Sequence, residues 1–516
     1  MLGINGKMLK TAGFMAAATL LAKICGLVRD MLIAAYFATG YQGEAYVTAT
    51  KLPTMLFDIV IGGVISASFI PVFNSILEKK DKKEALQFAN KFIGMVLTIT
   101  ILISVFGIIF SGPLIGFLAP DFDAQTHNLA SELSGIMFPM IIFTGLAFSF
   151  VGILQSFGEF NIPAVMSLVS NLAVIAYFPV FGKRFGVHGL AVTMLVAWSL
   201  QVFIQIPALK RFEFRFRPSL RLRDENIKAA LLLAGPMLVS TWVQPLYSIV
   251  NTRIASGMAG SVAMLEYANR LYTVMVGVFS FVVTNLIFPK LSRANASQNR
   301  EETDSLIIIS LRTIAVVILP LMAGFIILGR PIISIIYERG NFTPEDARLT
   351  GIALSCYSVG MIGFSVNEVL SKAFFSMQNS KTPMINAVIS MCGNILLAYT
   401  LSELWGLGGL ALAAAGGSTI NAVLNYACMR KQRGRFLSRA DVLDFVKIII
   451  SAIVMAGVVL LIRWLLQSRL QPGFTGNLVL CLVCGAAGAA VYGVCGYLIG
   501  VEEIRSIFKG GAKLEK

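Results

Sequence analysis

Residues 23–30, Lys-Ile-Cys-Gly-Leu-Val-Arg-Asp, place Lys23, Arg29 and Asp30 inside an otherwise apolar run from about Thr11 to Phe37. A run of that length spans a bilayer as a helix. A Lys or Arg near the middle of such a helix costs roughly 2.5–3.5 kcal/mol on insertion scales, so it normally faces protein or water rather than lipid. The chain is therefore expected to build an intramembrane environment that uses these charges.

Composition agrees. Of the 516 residues, 56% are hydrophobic and only 13% charged, which marks an integral membrane protein of many helices. Lys7 and Lys10 lead into an apolar segment much longer than the core of a removable signal peptide, so the first helix is expected to stay. The net charge of +15 comes from Lys and Arg clustered in short segments between apolar runs, a topology signal rather than a nucleic-acid footprint, and no nucleic-acid partner is expected. Seven cysteines lie almost wholly in apolar segments away from His and read as packing residues, the Cys481/Cys484 pair included.

Apolar segments fall at about 11–37, 44–73, 88–118, 128–156, 161–182 and 187–208, and again at about 228–256, 262–289, 304–328, 346–376, 382–401 and 406–428. Two more, near 442–466 and 475–500, make fourteen. Basic loops follow the second segment (Lys79, Lys80, Lys82, Lys83), the sixth (Lys210 to Lys228) and the twelfth (Arg430 to Arg439). The opposite loops carry Asp121, Asp123, Glu338, Glu345 and Asp346, with Lys183, Arg184 and Arg330 as exceptions, so both termini are expected in the cytoplasm.

An internal repeat is visible. Phe69-Ile70-Pro71 answers Ile287-Phe288-Pro289, Asn161-Ile162-Pro163 answers Lys381-Thr382-Pro383, and 111–119 resembles 329–337, all about 218–220 residues apart. Six helices per unit is an even number, so the two copies share one orientation. The expectation is an all-α polytopic membrane protein of 14 transmembrane helices. A six-helix lobe at 1–215 and its parallel pseudo-repeat at 216–436 would flank a central cavity, with two C-terminal helices and a tail at 437–516.

At this point the chain resembles the MviN/MurJ family of lipid II flippases, in the multidrug, oligosaccharidyl-lipid and polysaccharide exporter superfamily. The marks are Gly26-Leu27-Val28-Arg29-Asp30, Lys51-Leu52-Pro53, Tyr267-Ala268-Asn269-Arg270-Leu271, Gly340-Asn341-Phe342-Thr343, Tyr357-Ser358-Val359-Gly360 and Lys381-Thr382-Pro383, in order over essentially the whole chain. The resemblance implies transport of an undecaprenyl-diphosphate-linked peptidoglycan precursor from inner to outer leaflet of the bacterial plasma membrane. It further implies a cationic cavity for the diphosphate and a lipid-tail groove formed partly by the last two helices. By position, Arg29 and Arg270 match cavity arginines and Lys23 stands where an arginine is usual. Asp30 matches an acidic neighbour and Glu44 stands in for an aspartate. Phe57 departs from the pattern where a further arginine often sits, and Lys51 or Arg253 are the cations available to compensate. Membrane lipids and cell-wall synthesis proteins are the expected partners.

The residues agree with that chemistry, because a diphosphate leaving water needs charge-assisted hydrogen bonds from fixed cations. Lys23 and Asp30, seven apart, share a helix face. Adjacent Arg29 and Asp30 are not expected to pair with each other, so each should meet a partner on another helix. The structural alternative for Lys23 is neutralisation by Asp58 of the second helix. Arg270 lies four residues after Glu266 and can pair locally. Only two histidines occur, His127 and His188, both at outer loops. With no Ser-His-Asp set, phosphate-cradling loop or metal motif, no catalytic residue, cofactor or metal is expected. The rival readings are an exporter of another lipid-linked oligosaccharide or of drugs on the same fold, a non-transporting membrane scaffold for cell-wall assembly, and a membrane transferase.

Overall fold

The computed structural model describes residues 6–61, 65–220, 224–232, 242–434, 436–471 and 473–508. The Gly62-Gly63 pair, Arg221 to Arg223 of the basic loop, the early part of the 228–256 segment and the extreme ends lie outside these. Among the described residues the chain is helical throughout, without a strand. A bilayer explains this choice, since a helix satisfies its backbone polar groups internally.

The chain divides into two compact units, Met1–Ala263 and Met264–Lys516. In the first unit α1 (Gly6–Phe37) and α2 (Tyr41–Val60) are followed by a short π-helical turn, Ile65–Phe69, and by α3 (Ile70–Lys79). Then come α4 (Lys82–Ile109), α5 (Ser111–Leu118), α6 (Ala124–Met137), α7 (Met140–Ser156), α8 (Asn161–Tyr177), α9 (Lys183–Phe203) and α10 (Ile206–Arg211). The next helix, α11 (Val243–Ala255), packs on α2 and α5, and α1 packs along α8.

Next is α12 (Ser261–Ala296). The second unit continues with α13 (Arg300–Tyr337), α14 (Pro344–Ser358), α15 (Met361–Ser376), α16 (Lys381–Arg433), α17 (Arg439–Gln467), α18 (Phe474–Ile499) and α19 (Glu502–Phe508). The last two long helices pack on α13 through Ile448, Met455 and Val459 of α17 and Leu480, Cys484 and Tyr492 of α18. Cys484 is a buried packing residue there, and no disulfide forms among the described cysteines.

Local chemistry repeats between the units at the spacing read from the sequence. Asp81 caps α4 by accepting from the Glu84 amide at 2.6 Å, and Asn299, 218 residues on, caps α13 by accepting from Glu302 at 3.1 Å. Asp123 caps α6, and Thr343, 220 residues on, caps α14 in a reciprocal box with Asp346. The pair α6 and α7 is bent by 41°, as is the pair α14 and α15. Gly158 and Gln378 follow these pairs at φ +79° and +58°. Gly186 within α9 and Gly406 within α16, again 220 apart, break their helices at φ +52° with ψ near −143° and −128°. Side chains avoid that backbone region, so glycine is what makes each break inexpensive.

By length and apolarity, six helices among the described residues can cross a membrane, or eight if each bent pair counts as one. Two of the six are the long elements Asn161–Arg211 and Lys381–Arg433, in which the glycine breaks fall.

Candidate functional site

Arg29 projects from the last third of α1 onto α8. Its Nη1 donates to Asn171 Oδ1 at 2.9 Å, while Nε and Nη2 donate to Asp30 Oδ1 at 3.0 and 2.8 Å. Asn171 is buried and its amide nitrogen donates to the Ala22 carbonyl at 3.0 Å, so one residue of α8 fixes both the α1 backbone and the guanidinium. Gly26 faces this contact, and a Cβ there would lie 3.4 Å from Asn171 Nδ2, at ordinary packing distance. The expectation of a partner on another helix is met by Asn171. The expectation that Arg29 and Asp30 do not pair is corrected. Neighbouring Cβ atoms diverge around a helix, but the long arginine arm folds back along the axis and brings its planar fork to the carboxylate.

Lys23 is half-buried two turns earlier, and among the described residues no ion pair or hydrogen bond engages its ammonium. Asp58 is exposed on α2 and likewise has neither. The neutralising Lys23–Asp58 pair is therefore not formed. Phe57, where the family pattern favours a cation, stacks on Phe148 of α7 at 6.1 Å between ring centres.

Glu44 is buried in the first turn of α2 and accepts a hydrogen bond from the Val262 amide at the start of α12, at 3.2 Å. An acceptor at a helix start complements unpaired amides and the positive end of the helix dipole. Arg253 lies at the far end of α11, where its Nη1 donates to the Phe117 carbonyl at 2.9 Å and its guanidinium lies 5.7 Å from the Phe117 ring centre. Those contacts commit it to joining α11 to α5.

In the second unit Arg270 pairs with Glu266, Nε to Oε1, at 3.1 Å along one face of α12, as the spacing predicts. The family motifs around it meet as packing. Tyr267 lies 5.2 Å from Tyr337 and 6.0 Å from Phe342, and Phe342 is 5.9 Å from Tyr337. Tyr272 packs in the same way on Tyr357, at 5.8 Å. Deeper in this unit a buried amide chain runs from Asn386 to Asn425 at 2.8 Å and from Asn425 to Asn367 at 2.7 Å, joining α15 to both halves of α16. Sequence reasoning did not single out this chain or Asn171. The available signal was a set of Asn residues inside apolar helices, where polar side chains are used to hold helices together.

Outside comparisons extend the picture. The chain is 29% identical over 527 residues to a probable lipid II flippase MurJ from Rhizobium meliloti (strain 1021), covering 98% of this chain and 97% of that one. It is also 29% identical to the protein of the same name from Rickettsia prowazekii (strain Madrid E), over 87% of this chain and 89% of the relative. A solved lipid II flippase MurJ in an inward closed conformation superposes with a TM-score of 0.80 at 24% identity, over 96% of this chain and 98% of that one, a likeness of fold. An inward-facing multidrug resistance MATE transporter superposes at 0.69 with 15% identity, over 82% of this chain and 98% of that one. The family model described as lipid II flippase MurJ matches residues 33–483, so the chain belongs to the lipid II flippase MurJ family.

Proposed function

We propose that the chain carries lipid II from the inner to the outer leaflet of the bacterial plasma membrane by alternating access, for cell-wall synthesis. The observation that carries this reading is the family match over 33–483. The family is one of transporters, so the chemistry required is recognition and movement rather than bond-making. In this reading the lobes are 1–215 and 216–436, with 437–516 contributing the lipid-tail groove, and the two glycine-broken elements each supply two of fourteen spans. Both termini face the cytoplasm, on the side of the basic loops. Lys23, Arg29 and Arg270 attract the diphosphate, while Asp30, Glu44 and Asp58 set charge balance or gating. The geometry that supports Arg29 in this role is its fixed guanidinium, oriented by Asn171 and Asp30.

The test is complementation in cells depleted of their own flippase, paired with an assay for lipid II at the outer leaflet. The wild-type chain should restore both. Arg29→Ala and Arg270→Ala should each lower outer-leaflet lipid II about tenfold or more at equal protein level, the order expected for losing a hydrogen bond to a charged group. A well-expressed wild-type chain that restores neither overturns the reading. Arg29→Ala with full activity favours a scaffold.

A further inference from the structure

The first unit holds a cavity of about 370 Å³ between α2, α3, α7 and α9, with Asp58 exposed in its wall. We propose that it binds a small lipophilic organic cation, an ammonium-bearing ligand held by Asp58 against the rings of Phe57, Phe148 and Trp198. Its volume falls among ligand pockets of about 300–1,000 Å³. Among the described residues its wall contains a single ionisable group, Asp58, and no Lys, Arg or His. The sign is opposite to that of the cations assigned to the diphosphate, and an anion would be repelled here.

The hydrogen-bonding character of the wall points the same way. Thr54 spends its hydroxyl proton on the Thr50 and Lys51 carbonyls, at 3.1 and 2.8 Å, and Thr144 spends its own on Met140 at 2.8 Å. Each retains only lone pairs to offer a ligand. Apart from the Gln155 amide and the Trp198 indole N–H, the polar groups of the wall are acceptors, so a donor fits. Aromatic faces beside a carboxylate supply both halves of cation recognition, ring quadrupole and opposite charge. Metal coordination fits less well, because no cluster of carboxylate, His or Cys ligands forms among the described residues.

Purified full-length protein in lipid nanodiscs, titrated with ethidium and followed by fluorescence anisotropy, tests the site. Saturable binding is expected, weakened about tenfold in Asp58→Asn and held within about threefold in Asp58→Glu. Neutral phenanthridine, of similar shape, should bind independently of Asp58→Asn. Phe148→Leu should weaken ethidium severalfold while leaving the carboxylate in place, which keeps the test valid if an Asp58 variant assembles poorly. Binding of ethidium unaffected by Asp58→Asn in a folded variant, or no saturable binding to the wild type, overturns the proposal. The ammonium has two sources, a side chain of the transported glycopeptide or a free amine. Competition by a lysine-bearing glycopeptide that its N-acetylated form cannot reproduce assigns the first; ethidium binding that neither form displaces assigns the second.

Discussion

Arg29 is held by two unlike partners, a carboxylate on its own helix and an amide on another. The carboxylate sets charge and the amide sets direction. Asn171→Ala leaves the Arg29–Asp30 pair but removes the 2.9 Å contact to Nη1 and the tie to Ala22. A lost hydrogen bond to a charged group is worth about 1.5–3 kcal/mol, so lipid II flipping should fall roughly tenfold to a hundredfold if this orientation matters to the bound anion. Arg29→Lys keeps the charge yet cannot reach both partners with one ammonium, and should behave like Asn171→Ala rather than like wild type. The comparison of both variants in the outer-leaflet assay, at matched protein levels, checks this. Arg29 was legible in the sequence because a charge in a 27-residue apolar run is conspicuous. Asn171 was not, because its importance depends on α1 packing along α8, 142 residues away, and no local pattern encodes that contact. The Arg29–Asp30 pair was misread for a different reason, since helical spacing describes where side chains start and not how far a guanidinium reaches.

At the scale of elements, two kinds of position decide how the helices are cut and joined. Gly186 breaks α9 at φ +52°, and its freed carbonyl accepts from the Tyr177 hydroxyl at 2.6 Å. A Cβ at Gly186 meets open space, so the cost of Gly186→Ala is conformational alone, about 1–3 kcal/mol. Gly457, inside α17 with equally open surroundings, has ordinary helical geometry. There the same substitution should stabilise by up to about 1 kcal/mol. Unfolding midpoints of the two variants in detergent should move in opposite directions, and movement in the same direction would contradict the assignment of a break at 186. The second kind of position is Arg312 of α13. It pairs with Asp444 at 3.1 Å, Glu502 at 3.1 Å and Glu503 at 2.8 Å, tying α17 and α19 to α13. Arg312→Ala leaves three carboxylates facing one another, with Lys447 on Asp444 the remaining ion pair among the described residues. Removing one member of such a half-buried set costs roughly 3 kcal/mol. Hydrogen exchange should therefore rise at 439–447 and 502–508 before it rises elsewhere. The repeat itself was legible from the Pro-containing matches at constant spacing, whereas the glycine breaks were not, because a lone glycine in an apolar run does not announce a positive φ. The Arg312 cluster was not, because its acidic partners lie 132 to 191 residues further along the chain.

At the scale of the whole molecule the remaining question is what drives the cycle. The segment at 228–256 contains no Asp or Glu with which to hold a coupling cation. The proposed cargo site is instead cationic, and its cargo anionic. With the cell interior negative, each elementary charge crossing the field is worth about 2.3 kcal/mol per 100 mV. The sign favours the net cycle: a diphosphate leaves the negative side, its charge offset on the outward step by the site's own cations, and the empty site bearing Lys23, Arg29 and Arg270 is then drawn back toward that side. A sodium gradient would add nothing to either step. In proteoliposomes carrying the purified chain, an inside-negative potassium diffusion potential should accelerate outward movement of lipid II severalfold over zero potential. Replacing sodium by choline on both sides should leave the rate unchanged. Reversing the potential should slow flipping below the zero-potential rate, because reset of the empty cationic site would then run uphill. A rate that follows sodium and ignores the potential would mean that the charges at Lys23, Arg29 and Arg270 bind cargo without moving through the field.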